Sequence, residues 1–133
     1  MTEPSDLPLF GGDRAGLDLA AVQQRLREER EDVTARLATM SKDLHSVIAA
    51  SADSNADDEH DPEGQTIAYE RSQLSALVRA TRDQLADIEE ATARLEQGGY
   101  GICEVCLQPI PSARLAARPV ARTCVEHAAT HGG

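Results

Sequence analysis

The sequence lacks the large side chains that usually build a globular core: its 133 residues include no tryptophan, one phenylalanine and two tyrosines. So little aromatic bulk cannot fill a large core, and helix pairing or a bound metal must supply stability instead. No apolar run approaches the ~20 residues of a membrane span, and the opening segment Met1 to Asp6 is acidic and polar. We therefore expect a soluble, cytoplasmic protein with no membrane contact.

Basic charge is also scarce. The formal net charge is −10 at pH 7, with 13 Lys and Arg against 23 Asp and Glu. Residues 52–63 alone contain six of the acids and no Lys or Arg. A duplex-DNA reader needs a basic face, because neutralising phosphates drives its affinity. The charge distribution therefore argues against direct DNA binding.

All three cysteines lie near the C-terminus, in two short motifs. Cys103 and Cys106 form a CxxC, and after seventeen intervening residues Cys124 and His127 form a CxxH. Two such knuckles can direct four soft ligands to one point in the tetrahedral geometry that Zn²⁺ prefers. We predict one structural Zn²⁺ bound by Cys103, Cys106, Cys124 and His127.

Other interpretations of these cysteines are weaker. A redox CxxC needs a βαβ context that the sequence does not provide, and a disulfide framework favours an even cysteine count and an oxidising compartment. Within a zinc site, His131 or a water is the alternative fourth ligand. The CxxH spacing favours His127, because the same knuckle turn presents it.

Two long helices are predicted from apolar periodicity. Asp18 is a suitable N-cap for the first, which runs for about 34 residues, or roughly 50 Å. Its apolar positions recur every seven residues at Leu19, Leu26, Val33, Met40 and Val47. After Pro62 and Gly64 the pattern resumes, with alternating steps of four and three at Leu74, Val78, Thr81, Leu85, Ile88, Thr92 and Leu95. Gly98-Gly99 should end the second helix.

The predicted fold is mainly α: a long antiparallel two-helix coiled-coil hairpin followed by a small C-terminal zinc-binding module with a short helix. We expect a flexible leader at 1–16, the hairpin at 17–97 with an acidic tip at 52–64, and the zinc module at 98–133. One continuous helix that dimerises in trans is the alternative. Pro62, Gly64 and the dense like charges disfavour it.

The zinc module should contain a short helix with Ser112 as its N-cap, running toward Arg118. Ile102, Val105, Ile110 and Val120 are the apolar residues expected to shield the metal. Three arginines in this region have two interpretations: balancing the thiolate charge, or contacting an acidic partner. They are Arg114, Arg118 and Arg122.

The C-terminal half resembles the DksA/TraR zinc-finger proteins. The resemblance rests on the run from Arg94 to Cys106, which includes Gly-Tyr-Gly before the first cysteine, then on Pro109-Ile110-Pro111, Arg114 to Pro119, and Cys124. It extends from about Thr66 to His127, and before that only the helical pattern agrees. The chain departs from the family at His127, which replaces a cysteine, and in the tip motif Asp-x-x-Asp-x-Ala. With Asp58 as the first Asp, Glu63 stands in the alanine position; with Asp61 as the first, Gly64 stands where the second Asp should be.

The resemblance implies a regulator that inserts an acidic hairpin tip into the secondary channel of bacterial RNA polymerase and does not bind DNA. The tip residues would be Asp57, Asp58, Asp61 and Glu63. Larger members often act with the nucleotide ppGpp, which makes it a candidate partner here. We expect a monomer. We also expect no enzymatic activity, because four protein ligands close the zinc site. Gre-type transcript cleavage has no sequence support.

Two other functions are compatible with the sequence. One is a coiled-coil adaptor that docks a different protein and never contacts the polymerase. The other is a thiol-based sensor that releases zinc on oxidation.

Overall fold

The computed structural model describes residues 17–53 and 62–128. Two long helices account for most of this, α1 (Leu19–Asp53) and α2 (Pro62–Gln97). A short helix α3 (Ser112–Ala117) and a 3-10 turn (Val125–His127) follow. Within these ranges the only β pairing is an isolated bridge between Ile102 and Pro109. The predicted mainly α fold is confirmed.

Helix α1 begins as its sequence predicts. The Asp18 carboxylate accepts a hydrogen bond from the backbone N–H of Ala21 at 3.1 Å, which satisfies one of the free donors of the first turn. Two of the predicted heptad positions, Leu26 and Val33, are buried. Met40 and Val47 are half-buried, whereas Leu19 is exposed, so the heptad pattern identifies the packed face of α1 from Leu26 onward.

Both long helices extend into the acidic stretch predicted as the tip. Helix α1 continues to Asp53, and α2 begins at Pro62, so Pro62 and Gly64 are helical. Proline is well accommodated in the first turn of a helix, because the N–H that it lacks has no intrahelical partner there. The proline therefore starts α2 within the stretch assigned to the tip.

The end of α2 is a Schellman motif. Gly98 has a positive φ of 88°. Its N–H donates to Leu95 O at 3.3 Å, and the N–H of Gly99 donates to Arg94 O at 2.9 Å. This pair of bonds satisfies carbonyls that the last helical turn leaves free. The predicted helix stop at Gly98-Gly99 is confirmed.

The described residues form two compact units, each containing a piece of both long helices. One unit comprises 30–53 and 62–86. Within it the two helices are neighbours, since α1 residues 43–47 and α2 residues 69–74 line one groove. Val33, Val78 and Thr81 are buried here. The Thr81 hydroxyl donates to Leu77 O at 2.8 Å, so the polar group in this apolar stripe is satisfied.

The other unit comprises 17–29 and 87–128 and contains the remaining elements. Its core combines both helices with the C-terminal segment; the buried residues include Leu26, Ile88, Ala91, Tyr100, Ile110, Leu115 and Ala121. The domain boundaries expected at residues 16 and 97 stay predictions. No helix in the described ranges is both long enough and apolar enough to span a bilayer.

Helix α3 starts one residue away from the predicted cap. Pro111 occupies the N-cap position and Ser112 is already helical, with no side-chain hydrogen bond at the cap. The Pro111 carbonyl accepts from the N–H groups of both Arg114 and Leu115. The assignment of Ser112 as N-cap was therefore wrong, because the fixed φ of proline sets the first turn without a hydroxyl cap.

Candidate metal centre

The first knuckle is a tight turn from Cys103 to Leu107. The Leu107 N–H donates to Cys103 O at 2.9 Å. The N–H groups of Val105 and Cys106 lie 3.4 and 3.5 Å from Cys103 Sγ and donate to it. Leu107 has a φ of 62°, a left-handed conformation that bulky side chains seldom adopt. The N–H groups of Val105 and Cys106 therefore stabilise negative charge on the Cys103 sulfur without a metal.

Backbone hydrogen bonds on both sides of the antiparallel Ile102–Pro109 bridge support this knuckle. The Cys103 N–H donates to Gln108 O at 2.9 Å and the Ile110 N–H donates to Gly101 O at 2.7 Å. Gly101 has a φ of 88°, which suits glycine. Ile110 is fully buried beneath the turn. The Gly-Tyr-Gly and Pro-Ile-Pro segments therefore form the base on which the CxxC sits.

The second knuckle is the 3-10 turn that begins after Cys124. The His127 N–H donates to Cys124 O at 3.1 Å, which closes the turn. That turn directs the imidazole toward the cysteines through Nδ1, 3.2 Å from Cys124 Sγ and 3.8 Å from Cys103 Sγ. The CxxH spacing therefore places the His127 side chain where a CxxC motif would place its second cysteine.

The four side chains converge on one point. Their candidate ligand atoms all lie within 4.8 Å of one another, and Cys106 Sγ and Cys124 Sγ are 3.9 Å apart. Zn–S and Zn–N bonds of about 2.3 and 2.0 Å at tetrahedral angles require ligand separations of about 3.8 Å between sulfurs and about 3.5 Å between sulfur and nitrogen. The S–S separation of 3.9 Å and the S–N separations of 3.2 and 3.8 Å lie close to these values. The site is suited to one structural Zn²⁺ held by Cys103, Cys106, Cys124 and His127.

The electrostatics of the thiols also favour a cation. Burial raises the pKa of the Cys103 thiol, but backbone N–H groups of Cys106, Cys124 and Val105 outweigh it and lower that pKa to about 6. The Gln108 N–H lowers the pKa of Cys106, whereas burial and the adjacent Cys103 and Cys124 sulfurs raise it by more. One thiolate is stabilised by the protein alone. Further thiolates need a divalent metal to offset their mutual repulsion.

Tyr100 anchors the module and was not assigned a role from the sequence. Its side chain is fully buried, and its hydroxyl donates to Pro119 O at 2.7 Å. The Arg94 guanidinium lies 6.0 Å from the centre of the Tyr100 ring. Burial raises the pKa of the Tyr100 hydroxyl, so it remains a donor at neutral pH. One residue of the Gly-Tyr-Gly signature therefore fixes the segment that leads to the second knuckle.

Arginines from three helices donate hydrogen bonds to backbone carbonyls between residues 116 and 123. Arg25 on α1 donates to Ala116 O at 2.7 Å, and Arg114 on α3 donates to Thr123 O at 2.8 Å. Arg94 on α2 lies 3.4 Å from both Val120 O and Ala121 O. We call Arg25, Arg94 and Arg114 the arginine brace. It satisfies carbonyls that no regular secondary structure pairs.

The predicted roles of the other arginines are only partly visible. Arg122 forms an ion pair with Glu90 at 3.1 Å, and Arg118 is exposed at the end of α3. Of the four predicted shielding residues, Ile110 is buried, Ile102 and Val120 are half-buried, and Val105 is exposed. Arg114 donates to Thr123 O and Arg122 donates to Glu90, and charge balancing of the thiolates by these arginines stays a prediction.

The acidic tip is less well described than the metal centre. Asp57, Asp58 and Asp61 lie outside the described residues, and Glu63 lies in the first turn of α2. Their assignment as partner-binding residues stays a prediction.

The fold and the metal centre together define a class: a protein with two long helices and a C-terminal zinc finger. Residues 98–127 match the family of prokaryotic dksA/traR C4-type zinc fingers. The chain also resembles the solved structure of transcription factor DksA2 from Pseudomonas aeruginosa. The TM-score is 0.73 at 24% identity, over 91% of this chain and 90% of the other. The chain thus carries a DksA/TraR-family zinc finger on a DksA-like fold, and the resemblance seen in the sequence is confirmed.

Two curated relatives extend the comparison. The chain is 42% identical over 73 residues to the uncharacterized protein YteA of Bacillus subtilis, covering 55% of this chain and 30% of the relative. It is 43% identical over 60 residues to the RNA polymerase-binding transcription factor DksA of Caulobacter vibrioides, covering 42% of each chain. The matches therefore span less than half of either relative. The chain departs from the family's four-cysteine ligand set at His127 alone.

Proposed function

We propose that this protein is a transcription regulator that binds RNA polymerase. Its acidic segment between α1 and α2 enters the enzyme's secondary channel, and the protein does not contact DNA directly. The observation that carries the proposal is the similarity to DksA: a dksA/traR-type zinc finger, 43% identity over 60 residues to a relative named as an RNA polymerase-binding transcription factor, and a fold like that of DksA2.

Charge supports the choice of the acidic segment. Residues 52–63 contain six acids without a Lys or Arg, and they lie where α1 gives way to α2. An acidic segment is complementary to a positively lined, metal-containing channel, and such complementarity accelerates encounter and fixes orientation.

The arginines support the absence of direct DNA binding. Arg25, Arg94 and Arg114 donate to backbone carbonyls, and Arg122 pairs with Glu90. These guanidinium groups stabilise the metal-binding unit. Burial of the Arg94 side chain lowers its pKa. The remaining basic charge is too sparse, on a chain of net charge −10, to neutralise a run of phosphates.

The zinc has a structural role in this proposal. Four side chains contribute ligand atoms to the cluster, and a catalytic zinc would keep one position for water or substrate. We therefore propose no enzymatic activity for the chain.

The test removes the tip charge while leaving the metal centre intact. A triple variant carries Asp58→Ala, Asp61→Ala and Glu63→Ala. Zinc content and helix content should be unchanged, whereas the effect on promoter-complex lifetime in transcription with purified RNA polymerase should be lost. Adding ppGpp to the same assay tests the nucleotide as a partner.

A matched control removes the same charge elsewhere. Glu31, Asp32 and Asp83 are exposed acids on α1 and α2 outside the acidic segment. Replacing these three with alanine should leave the transcriptional effect intact. Absence of the wild-type chain from a core-polymerase pull-down, with no change in promoter-complex lifetime, would refute the proposal. A shift of labelled promoter DNA without polymerase would contradict its DNA-independent part.

A second candidate function is an adaptor that docks another protein on its helices. It is favoured by large apolar side chains that are exposed in the unit of residues 30–53 and 62–86: Tyr69 is 66% exposed and Leu77 is 51% exposed. Exposed aromatic residues are common anchors at protein interfaces. A Tyr69→Ala/Leu77→Ala variant separates the two functions. An adaptor should lose partner binding with these side chains, whereas a transcriptional effect exerted through the acidic segment should persist.

A further inference from the structure

A groove of about 440 Å³ lies between the start of α1 and α3, in the unit that contains the metal centre. Its lining is mainly apolar, with Leu17, Ala21 and Val22 on one side and Ala113, Leu115 and Pro119 on the other. A volume of this size is typical of sites that take small ligands or a few side chains. The groove is separate from the four zinc ligands.

The walls of the groove are fixed by contacts already in place. Arg25 Nη1 donates to Ala116 O at 2.7 Å and so connects α1 to α3. Leu115 and Pro119 are buried at the base, and the Tyr100 hydroxyl holds Pro119 O. An apolar peptide can therefore enter a preformed site without the cost of ordering its walls.

The sequence offers an occupant immediately before α1. Leu7-Pro8-Leu9-Phe10 is an apolar run that contains the single phenylalanine of the chain. Phe10 precedes the groove residue Leu17 by seven positions, which can span up to about 24 Å of extended chain. Gly11, Gly12 and Gly16 fall in this interval and allow the chain to reverse direction.

We propose that Leu7-Pro8-Leu9-Phe10 docks into this groove of its own chain and covers the contact between α1 and α3. A tether of this length gives an effective concentration in the millimolar range. A second copy at micromolar concentration cannot compete with that. Docking in cis is therefore favoured over exchange between copies. This inference is independent of the proposed function.

The absence of tryptophan provides a direct probe. Phe10→Trp makes the zinc-loaded full chain a single-tryptophan protein, whose emission and acrylamide quenching report on residue 10 alone. With a local Kd near or below the millimolar effective concentration, at least about half of the segment is docked. The quenching slope should therefore fall about twofold or more relative to a free peptide of residues 1–16 with the same substitution, and the emission should shift to the blue.

Two variants on α3 supply the contrast. Ala113 is exposed and lines the groove, whereas Ala117 is exposed and does not. Ala113→Gln places a polar side chain in the groove and should restore the quenching slope of the free peptide. Ala117→Gln should leave the slope low. The wild-type phenylalanine is tested by trypsin cleavage after Arg14, which Ala113→Gln should accelerate and Ala117→Gln should not.

Free-peptide quenching in the Phe10→Trp chain, together with equal cleavage after Arg14 in wild type and Ala113→Gln, would overturn the proposal. A blue shift that disappears on dilution would also overturn it, because the occupant would then be a second copy. Retention of the shift on dilution, with loss only in Ala113→Gln, supports docking in cis.

Discussion

Replacing His127 with alanine should lower zinc affinity by two to three orders of magnitude. His127 Nδ1 lies 3.2 and 3.8 Å from two of the sulfurs, close to the separations of a tetrahedral S₃N site. Structural zinc sites are worth about 10–16 kcal/mol in total, so one ligand of four contributes about 2.5–4 kcal/mol. At 1.4 kcal/mol per tenfold, this corresponds to a loss of about 10²–10³ in affinity.

The measurement is competition for zinc with a chromogenic chelator of known affinity. Glu126→Ala is the control, since Glu126 is exposed in the same 3-10 turn and should leave the affinity unchanged. His127→Cys restores a four-cysteine set and should keep tight binding. If His127→Ala retained wild-type affinity while His131→Ala lost it, the identification of His127 as the fourth ligand would be refuted.

Three further predictions concern stability. Tyr100→Phe should destabilise the protein by about 1–3 kcal/mol in urea unfolding, because a buried Pro119 carbonyl loses its donor; an unchanged midpoint would mean that water replaces the hydroxyl. Leu107→Gly should stabilise it by about 0.5–1 kcal/mol in the same assay, since glycine relieves the left-handed strain of a side chain that is 69% exposed. A lower midpoint for that variant would indicate that the leucine makes a contact worth more than the strain. Removal of zinc by a chelator should abolish protection of residues 98–127 from amide hydrogen exchange. Protection within 30–53 and 62–86 should persist, because the buried stripe of those helices contains no metal ligand. Simultaneous loss of protection in both regions would contradict this.

The parts of the fold that local chemistry determines were predictable. Asp18 and Gly98 were identified as helix boundaries because capping depends on a few adjacent residues. Leu26 and Val33 were identified as packed positions because a seven-residue spacing returns to the same helix face. The clustering of the four cysteine and histidine side chains was predictable from their spacing, since each knuckle is a turn of four residues.

The parts that depend on backbone acceptors were not predictable. The acceptors of the arginine brace and of Tyr100 are carbonyl groups, which every residue has, so no sequence pattern marks them. Arg114 was accordingly interpreted through its charge, whereas its hydrogen bond goes to Thr123 O. The left-handed conformation of Leu107 was missed for a related reason: glycine signals such a position, and leucine does not.

The arginine brace has a consequence for how the protein tolerates mutation. Its acceptors are the main-chain oxygens of Ala116, Val120, Ala121 and Thr123, which survive any substitution at those positions that keeps the backbone path. Its donors are side chains, and each is lost with a single codon change. These hydrogen bonds therefore depend on residue type on the donor side only, in contrast to the Arg122–Glu90 ion pair, which needs both side chains. Substitutions at the acceptor positions should therefore leave these hydrogen bonds in place. Substitution of any of the three arginines removes the hydrogen bonds that it donates.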